Sequence, residues 1–195
     1  MSKQRIIQAA KENNSVITAS WCRESGIPSI YLSRLVDEKV LYRSSRGIYT
    51  LNEHDADPWF ILQTRNPICI FSFVSSLYLL DATDIIPNNL EVTVYAGYNA
   101  SHFPKDTIVH YVNKNILQLG VMTIKTRYGN EVRCYDMERT ICDFISNRTK
   151  IDSELYSTTL QKYSSSPQQN IRRLMQYAAE MGIRQRVQKT MEVLV

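Results

Sequence analysis

Apolar positions in the first fifty residues recur at helical spacing. Ile6, Ile7 and Ala10 mark a first helix of about three turns, which the polar pair Asn13-Asn14 ends. Thr18 is placed to cap a second helix carrying Ala19, Trp21 and Cys22, and Gly26 to close it in a left-handed turn. Pro28 has its φ preset for the first turn of a third helix, whose inward stripe is Leu32, Leu35 and Val36. Tyr42 to Leu51 then reads as two short strands around the polar, glycine-containing turn Ser44-Ser45-Arg46-Gly47.

Beyond Asn52 the pattern changes. The acidic stretch Asn52 to Asp57 ends at Pro58, and the expected domain boundary lies there, giving domains 1–55 and 56–195. The mostly apolar run Ile68 to Leu80 is longer than a typical strand and predicts a buried helix. Leu90 to Tyr95 alternates with period two, as a half-buried strand does. Thr107 to Val112 and Leu119 to Arg127 read as further strands, the latter meeting Glu131 to Tyr135 across the hairpin turn Tyr128-Gly129-Asn130. Helices are expected at Met137 to Ser146 and Asp152 to Tyr163. Two more carry the stripes Ile171, Leu174, Met175, Ala178 and, after Gly182, Ile183, Val187, Met191, Leu194. The fold class is therefore α+β: an N-terminal winged helix-turn-helix and a C-terminal mixed α/β domain closed by helices.

The spacing of the first domain carries the functional signal. A small residue, Cys22, stands four before the turn glycine Gly26, and Ile27, Leu32 and Leu35 are apolar pins that hold the following helix at a fixed angle. With that stripe inward, the third helix turns Ser29, Ile30, Ser33 and Arg34 outward, with Tyr31 to one side. An arginine donates a bidentate pair to guanine O6 and N7, an isoleucine meets a thymine methyl, and serines reach bases or phosphates. In the wing, Arg43, Ser44, Ser45 and Arg46 are candidates for backbone phosphate or a narrow minor groove. Thr18 and Ser20 at the start of the second helix would face phosphate. The competing reading is a winged helix used as a protein-interaction adaptor.

Charge sharpens this picture. Residues 1–51 hold 8 Lys/Arg against 4 Asp/Glu, residues 52–161 hold 9 against 13, and residues 162–195 hold 6 against 2, so two basic ends flank an acidic middle. Such segregation suits a polyanion partner for the ends. With 195 residues, 44% of them apolar and 22% charged, the composition is that of a globular protein, which excludes disorder, collagen-like repeats and a coiled-coil rod. No run approaches the roughly 20 apolar residues of a membrane span. No secretory signal pattern opens the chain, so a cytoplasmic location is expected. Cysteines 22, 69, 134 and 142 form no Cys-x-x-Cys pair and are expected as buried free thiols.

The chain resembles the AbiEi family of antitoxins, the regulator halves of bacterial abortive-infection (type IV) toxin-antitoxin pairs in phage defence. The resemblance rests on Arg46-Gly47-Ile48-Tyr49-Thr50-Leu51, on Ser72-Phe73-Val74-Ser75-Ser76-Leu77-Tyr78-Leu79-Leu80 and on Glu138-Arg139-Thr140-Ile141-Cys142-Asp143. It implies a repressor that binds double-stranded DNA at promoter inverted repeats of its own operon. It also implies a C-terminal domain that counteracts a co-encoded nucleotidyltransferase toxin. Family members often carry a glycine near the end of the recognition helix, where this chain has Glu38-Lys39.

The chain has no Gly-x-Ser-x-Gly, no phosphate-cradling glycine loop and no His-Glu-x-x-His, and neither a metal nor a cofactor is expected. The enzymatic alternative is a nuclease-like, metal-dependent site built from Asp84, Glu91, Glu131 and Arg133. Arg139 and Asp143, four apart on one helix, are expected to form a surface or partly buried ion pair. Three readings of the basic tail stand open. Arg172, Arg173, Arg184, Arg186 and Lys189 extend a DNA footprint, meet an acidic toxin surface or its RNA substrate, or merely solvate amphipathic helices.

Overall fold

The computed structural model describes residues 2–194, excepting the side chain of Leu194, whose expected place in the last apolar stripe lies outside the described part. The chain forms two compact units. One comprises residues 1–65 together with 125–132, the other residues 66–124 and 133–195. The chain thus passes between units three times, where a single passage near residue 55 was expected.

The first unit opens with α1 (Ser2–Glu12), β1 (Val16–Thr18), α2 (Ala19–Glu24) and α3 (Ile30–Asp37), followed by β2 (Tyr42–Ser45), β3 (Ile48–Thr50) and α4 (Pro58–Arg65). The three strands make an antiparallel sheet in the order β1-β3-β2. β1 was not expected, although its three consecutive residues Val-Ile-Thr are all β-branched and suit a pleated surface. α2 ends as expected. Gly26 adopts φ +67°, its N–H bonds to Arg23 O (3.1 Å) and the Ile27 N–H to Cys22 O (2.8 Å), the two bonds of a Schellman cap. α3 closes the same way through Lys39 N–H to Val36 O and Val40 N–H to Leu35 O, both 2.9 Å, with Lys39 itself at φ +56°. The lysine therefore occupies a left-handed position that glycine fills without strain, at a cost of about 1 kcal/mol. Ile6, Ala10, Ile17, Cys22, Ile27, Leu32, Leu35 and Leu41 form one core cluster.

The return of residues 125–132 to this unit is tied by Asp57, which is 1% exposed. Its Oδ1 accepts from the N–H groups of Trp59 (3.0 Å) and Phe60 (3.2 Å), capping α4. Its Oδ2 accepts from Thr126 Oγ1 (2.6 Å) and Asn130 Nδ2 (2.9 Å) on the hairpin tip. Asn14 Nδ2 donates to Gly129 O (2.9 Å), and Gly129 takes φ +84° there.

The second unit is built on a five-stranded mixed sheet in the order β6-β5-β4-β8-β7. Its strands are β4 (Ile70–Phe71), β5 (Glu91–Tyr95), β6 (Ile108–Val112), β7 (Val121–Lys125) and β8 (Glu131–Tyr135). The run Ile68 to Leu80 is not one helix. It splits into β4, at the centre of the sheet, and α5 (Phe73–Leu79), with the chain reversing at Phe73, φ +51°. The serines in the run make the division possible, because each finds a partner outside it. Thr93 Oγ1 donates to Ser72 Oγ (2.8 Å), Glu91 N–H to Ser75 Oγ (2.7 Å), and Ser76 Oγ pairs with Thr140 Oγ1 (2.8 Å). Val92, Thr93 and Val94 are all buried, so β5 is a central strand rather than the half-buried one its alternation suggested.

Four helices close this unit: α6 (Met137–Ser146), α7 (Ser153–Ser164), α8 (Ile171–Glu180) and α9 (Arg184–Leu194). Ile141, Ile145, Leu160, Tyr163, Leu174, Ala178 and Val187 make their shared core. All four cysteines are buried and outside any disulfide, and burial pushes the thiols of Cys69, Cys134 and Cys142 up to about 12.

Candidate nucleic-acid interface

α3 is fixed from behind. Leu32 and Leu35 are 1% exposed, and burying a large aliphatic side chain contributes about 1.5–3 kcal/mol. Those two pins settle which face is left for a ligand. Ser29, Ile30, Ser33 and Arg34 are exposed on that face, Ile30 at 53%. Tyr31 is half-buried, and the Arg34 guanidinium lies 5.6 Å from its ring centroid, within cation–π range. Arg34 is thereby held over an aromatic platform while its fork stays accessible.

The wing places Arg43 and Arg46 in solvent, with Gly47 at φ +76° making the turn. Ala19 N–H donates to Gly47 O (2.8 Å), so the wing tip and the start of α2 are joined directly. Ser44 sits at a β-bulge, where the pairing shifts between Arg43 and Ser45, and its hydroxyl meets buried Thr50 Oγ1 at 2.9 Å. Ser45 is half-buried beside it. Thr18 caps α2 by accepting the Trp21 N–H (3.1 Å) and shares a hydrogen bond with exposed Ser20 Oγ (2.9 Å). The structure therefore brings α3, the start of α2 and the wing into one unit, with Arg34, Arg43 and Arg46 all exposed.

Residues 4–52 match the family model of the AbiEi antitoxin transcriptional regulators. The AbiEi match spans the helix-turn-helix and the wing, and it supports a DNA-binding regulatory role for this domain. Across 98% of this chain and 80% of the other, the fold is similar to that of the RV2827C protein from Mycobacterium tuberculosis, with TM-score 0.50 and 12% identity. Among curated proteins none matches. The α+β architecture, with a winged helix over the residues that match the AbiEi model, agrees with the pattern read from the sequence.

Outside the AbiEi match the expected sites fare differently. Arg172, Arg184, Arg186 and Lys189 are exposed, and the last three stand in an open hollow of about 660 Å³ lined, among the described residues, by no carboxylate. Arg173 instead leans on Asp136 (3.8 Å) and Glu138 (3.7 Å). Arg139 and Asp143 are not at the surface: the pair is 3.1 Å long, with side-chain exposures of 0% and 4%. Arg139 also donates through Nη1 to the carbonyls of Ile116 (2.6 Å) and Leu119 (3.0 Å), and its guanidinium lies 4.2 Å from the Tyr135 ring centroid. The pair forms as its spacing suggests but lies deeper than the surface or partly buried position expected, because helical spacing reveals the pairing but not what covers it.

Two of the three carboxylates of the nuclease-like reading, and its arginine, have other partners, and Glu131 is exposed. Glu91 Oε2 lies 2.7 Å from His110 Nε2, Asp84 is fully exposed and 3.9 Å from Lys162, and Arg133 donates to the carbonyls of Pro67 and Cys69. Among the described residues no three His, Cys, Asp or Glu side chains are gathered as a metal site would need. No described helix is long and apolar enough to cross a membrane.

Proposed function

We propose that the protein represses transcription of its own toxin-antitoxin operon, with α3 in the major groove of promoter inverted repeats and the wing on the flanking backbone. The observation that carries this reading is the outer face of α3, where Arg34 stands over Tyr31 beside exposed Ile30 and Ser33. Arg34 reads base edges. Arg43 and Arg46 supply phosphate contacts, with Ser29, Ser45, Thr18 and Ser20 at the margins. The Ser44 hydroxyl contributes to holding the bulge through Thr50.

Gel-shift titration of the full chain on its promoter fragment tests these roles separately. Arg34→Ala is expected to weaken binding by about 1–3 kcal/mol and to relax base preference at one position of each half-site. Arg43→Ala and Arg46→Ala are expected to weaken binding to all sequences alike and to lower the salt slope by about one each. Unchanged affinity and preference in the Arg34 variant reject the base-reading role.

For the second unit we propose that it counteracts a co-encoded nucleotidyltransferase toxin. The hollow of Arg184, Arg186 and Lys189, whose described lining holds no carboxylate, supports a contact with an acidic toxin surface or its RNA substrate. Co-expression of toxin with the triple Glu variant is expected to restore growth arrest while promoter repression persists. Full protection by that variant removes the hollow from the mechanism.

A further inference from the structure

Just past the end of α5, a cavity of about 530 Å³ opens against the starts of α6 and α8 and the end of α7. We propose that it binds a free α-amino acid with an apolar side chain, the ammonium group on Glu138 and the carboxylate on Arg173. This goes beyond the regulatory reading and does not depend on it.

Glu138 is the residue that calls for a ligand. It is 5% exposed and lines the cavity, and burial of its carboxylate is costly unless donors surround it. Oε1 accepts the Asn170 N–H (3.1 Å) and, at the long distance of 3.4 Å, the Tyr163 hydroxyl. Oε2 accepts no hydrogen bond from any described residue, because the Arg173 guanidinium stands 3.7 Å off, beyond hydrogen-bonding distance. Half of a buried carboxylate is thus left for a donor from outside the chain, and a charged N–H group is the donor it holds most strongly.

Arg173 is equally unspent. Its side chain is half exposed, its ion pairs to Glu138 and Asp136 span 3.7 and 3.8 Å, and its guanidinium makes no hydrogen bond to a described residue. A planar guanidinium in that condition suits a carboxylate, which it takes through two parallel bonds. Lys162, exposed in the same lining, lies 3.9 Å from fully exposed Asp84. With Asp81, the described lining holds two carboxylates and two cations. A ligand of balanced charge matches it, whereas a bare anion or a bare amine meets like charge on one side.

The spacing narrows the class. An acceptor and a cation 3.7 Å apart recognise opposite charges carried close together, and an α-amino acid carries both on one carbon. Leu80, Ala82 and Met137 add apolar surface to the lining, against which an aliphatic side chain is buried. The volume of about 530 Å³ lies within the roughly 300–1,000 Å³ of small-molecule sites and far exceeds what one ion or water fills.

Isothermal titration calorimetry of the full chain with L-leucine and L-methionine tests the proposal. At least one is expected to bind with a Kd below about 1 mM. For the tighter of the two, the amide, which lacks the carboxylate, and the α-hydroxy acid, which lacks the ammonium group, should each bind at least about tenfold more weakly. Arg173→Ala should erase the preference for the amino acid over its amide. Glu138→Gln keeps an oxygen for the Asn170 N–H but turns an NH₂ toward the ligand, and it should erase the preference over the α-hydroxy acid. A merely structural role would scale all three ligands alike and leave both ratios unmoved.

A Kd above about 1 mM for both amino acids overturns the proposal. So does an analogue lacking one charge that binds as tightly as the amino acid, or either preference surviving the variant meant to erase it. If Glu138→Gln fails to fold, Arg173→Ala, at a half-exposed position, still decides. Amino-acid binding that behaves as expected in a chain without affinity for promoter DNA sinks the regulatory reading and leaves this one standing.

Discussion

Asp57→Ala is expected to destabilise the first unit by about 3–5 kcal/mol, seen as a fall of about 10 °C in the Tm of the full chain. The carboxylate is buried and serves four donors: two backbone N–H groups at the start of α4, the Thr126 hydroxyl and the Asn130 amide. Removing the acceptor leaves buried donors without partners, each costing about 1–3 kcal/mol, partly relieved if water enters. Loss of the cap alone costs about 1 kcal/mol, so the larger share falls on the hairpin tip. Asp57→Asn retains one oxygen for the cap but turns an NH₂ toward Thr126 and Asn130, and an intermediate loss is expected. A Tm within about 2 °C of the parent for the alanine variant would show that this clasp does not hold the unit together. The same geometry predicts that a fragment ending at residue 65 lacks two of the four donors and melts below the intact chain, so DNA-binding assays belong on the full protein.

The second large effect concerns Arg139. Arg139→Ala is expected to cost about 3–5 kcal/mol in chemical denaturation, because it strands the Asp143 carboxylate in the core and removes the guanidinium donor from the Ile116 and Leu119 carbonyls. Burial already pushes the Asp143 carboxyl up, against the opposing pull of the Arg139 charge. Without that charge the carboxyl rises further. A carboxyl whose folded pKa exceeds its unfolded value loses stability as pH rises through the folded pKa. The Arg139→Ala deficit should therefore be largest at neutral pH and shrink on acidification. Arg139→Lys restores charge but not the planar fork that serves one carboxylate and two carbonyls, and only partial recovery is expected.

Replacing both partners, with Arg139→Met and Asp143→Leu, should recover most of the loss, because buried ion pairs are often matched by apolar residues of similar volume. Arg139 Nη2 and Asp143 Oδ2 are buried with no hydrogen-bond partner, so the native pair is itself incompletely compensated. A loss below about 1 kcal/mol for Arg139→Ala would mean that the core relaxes around the vacancy. Gly120 leaves little room for that: a Cβ there would come within 2.6 Å of Arg139 Cβ.

Arg139 and Asp57 mark the boundary of what local pattern conveys. The i, i+4 spacing of Arg139 and Asp143 was readable and their pairing followed, but their depth was not. Burial depends on Ile116, Leu119 and Tyr135, which arrive from β8 and the segment before β7. Likewise Pro58 suggested a domain boundary, whereas the residue before it binds a hairpin tip 69 and 73 positions away.

The sequence by itself determined the helix-turn-helix, its turn glycine, the outward face of α3, the hairpin turn at Gly129 and the four closing helices. Each of these is set by periodicity, capping or backbone preference within a dozen residues. Only the tertiary structure decided that Phe71 and Phe73 lie on either side of a strand-to-helix reversal, that residues 125–132 complete the first unit, and that Arg139 is a core residue. Those outcomes rest on hydrogen bonds and burial supplied by distant segments. A local pattern lists the groups that need partners, and the folded chain determines which partners reach them.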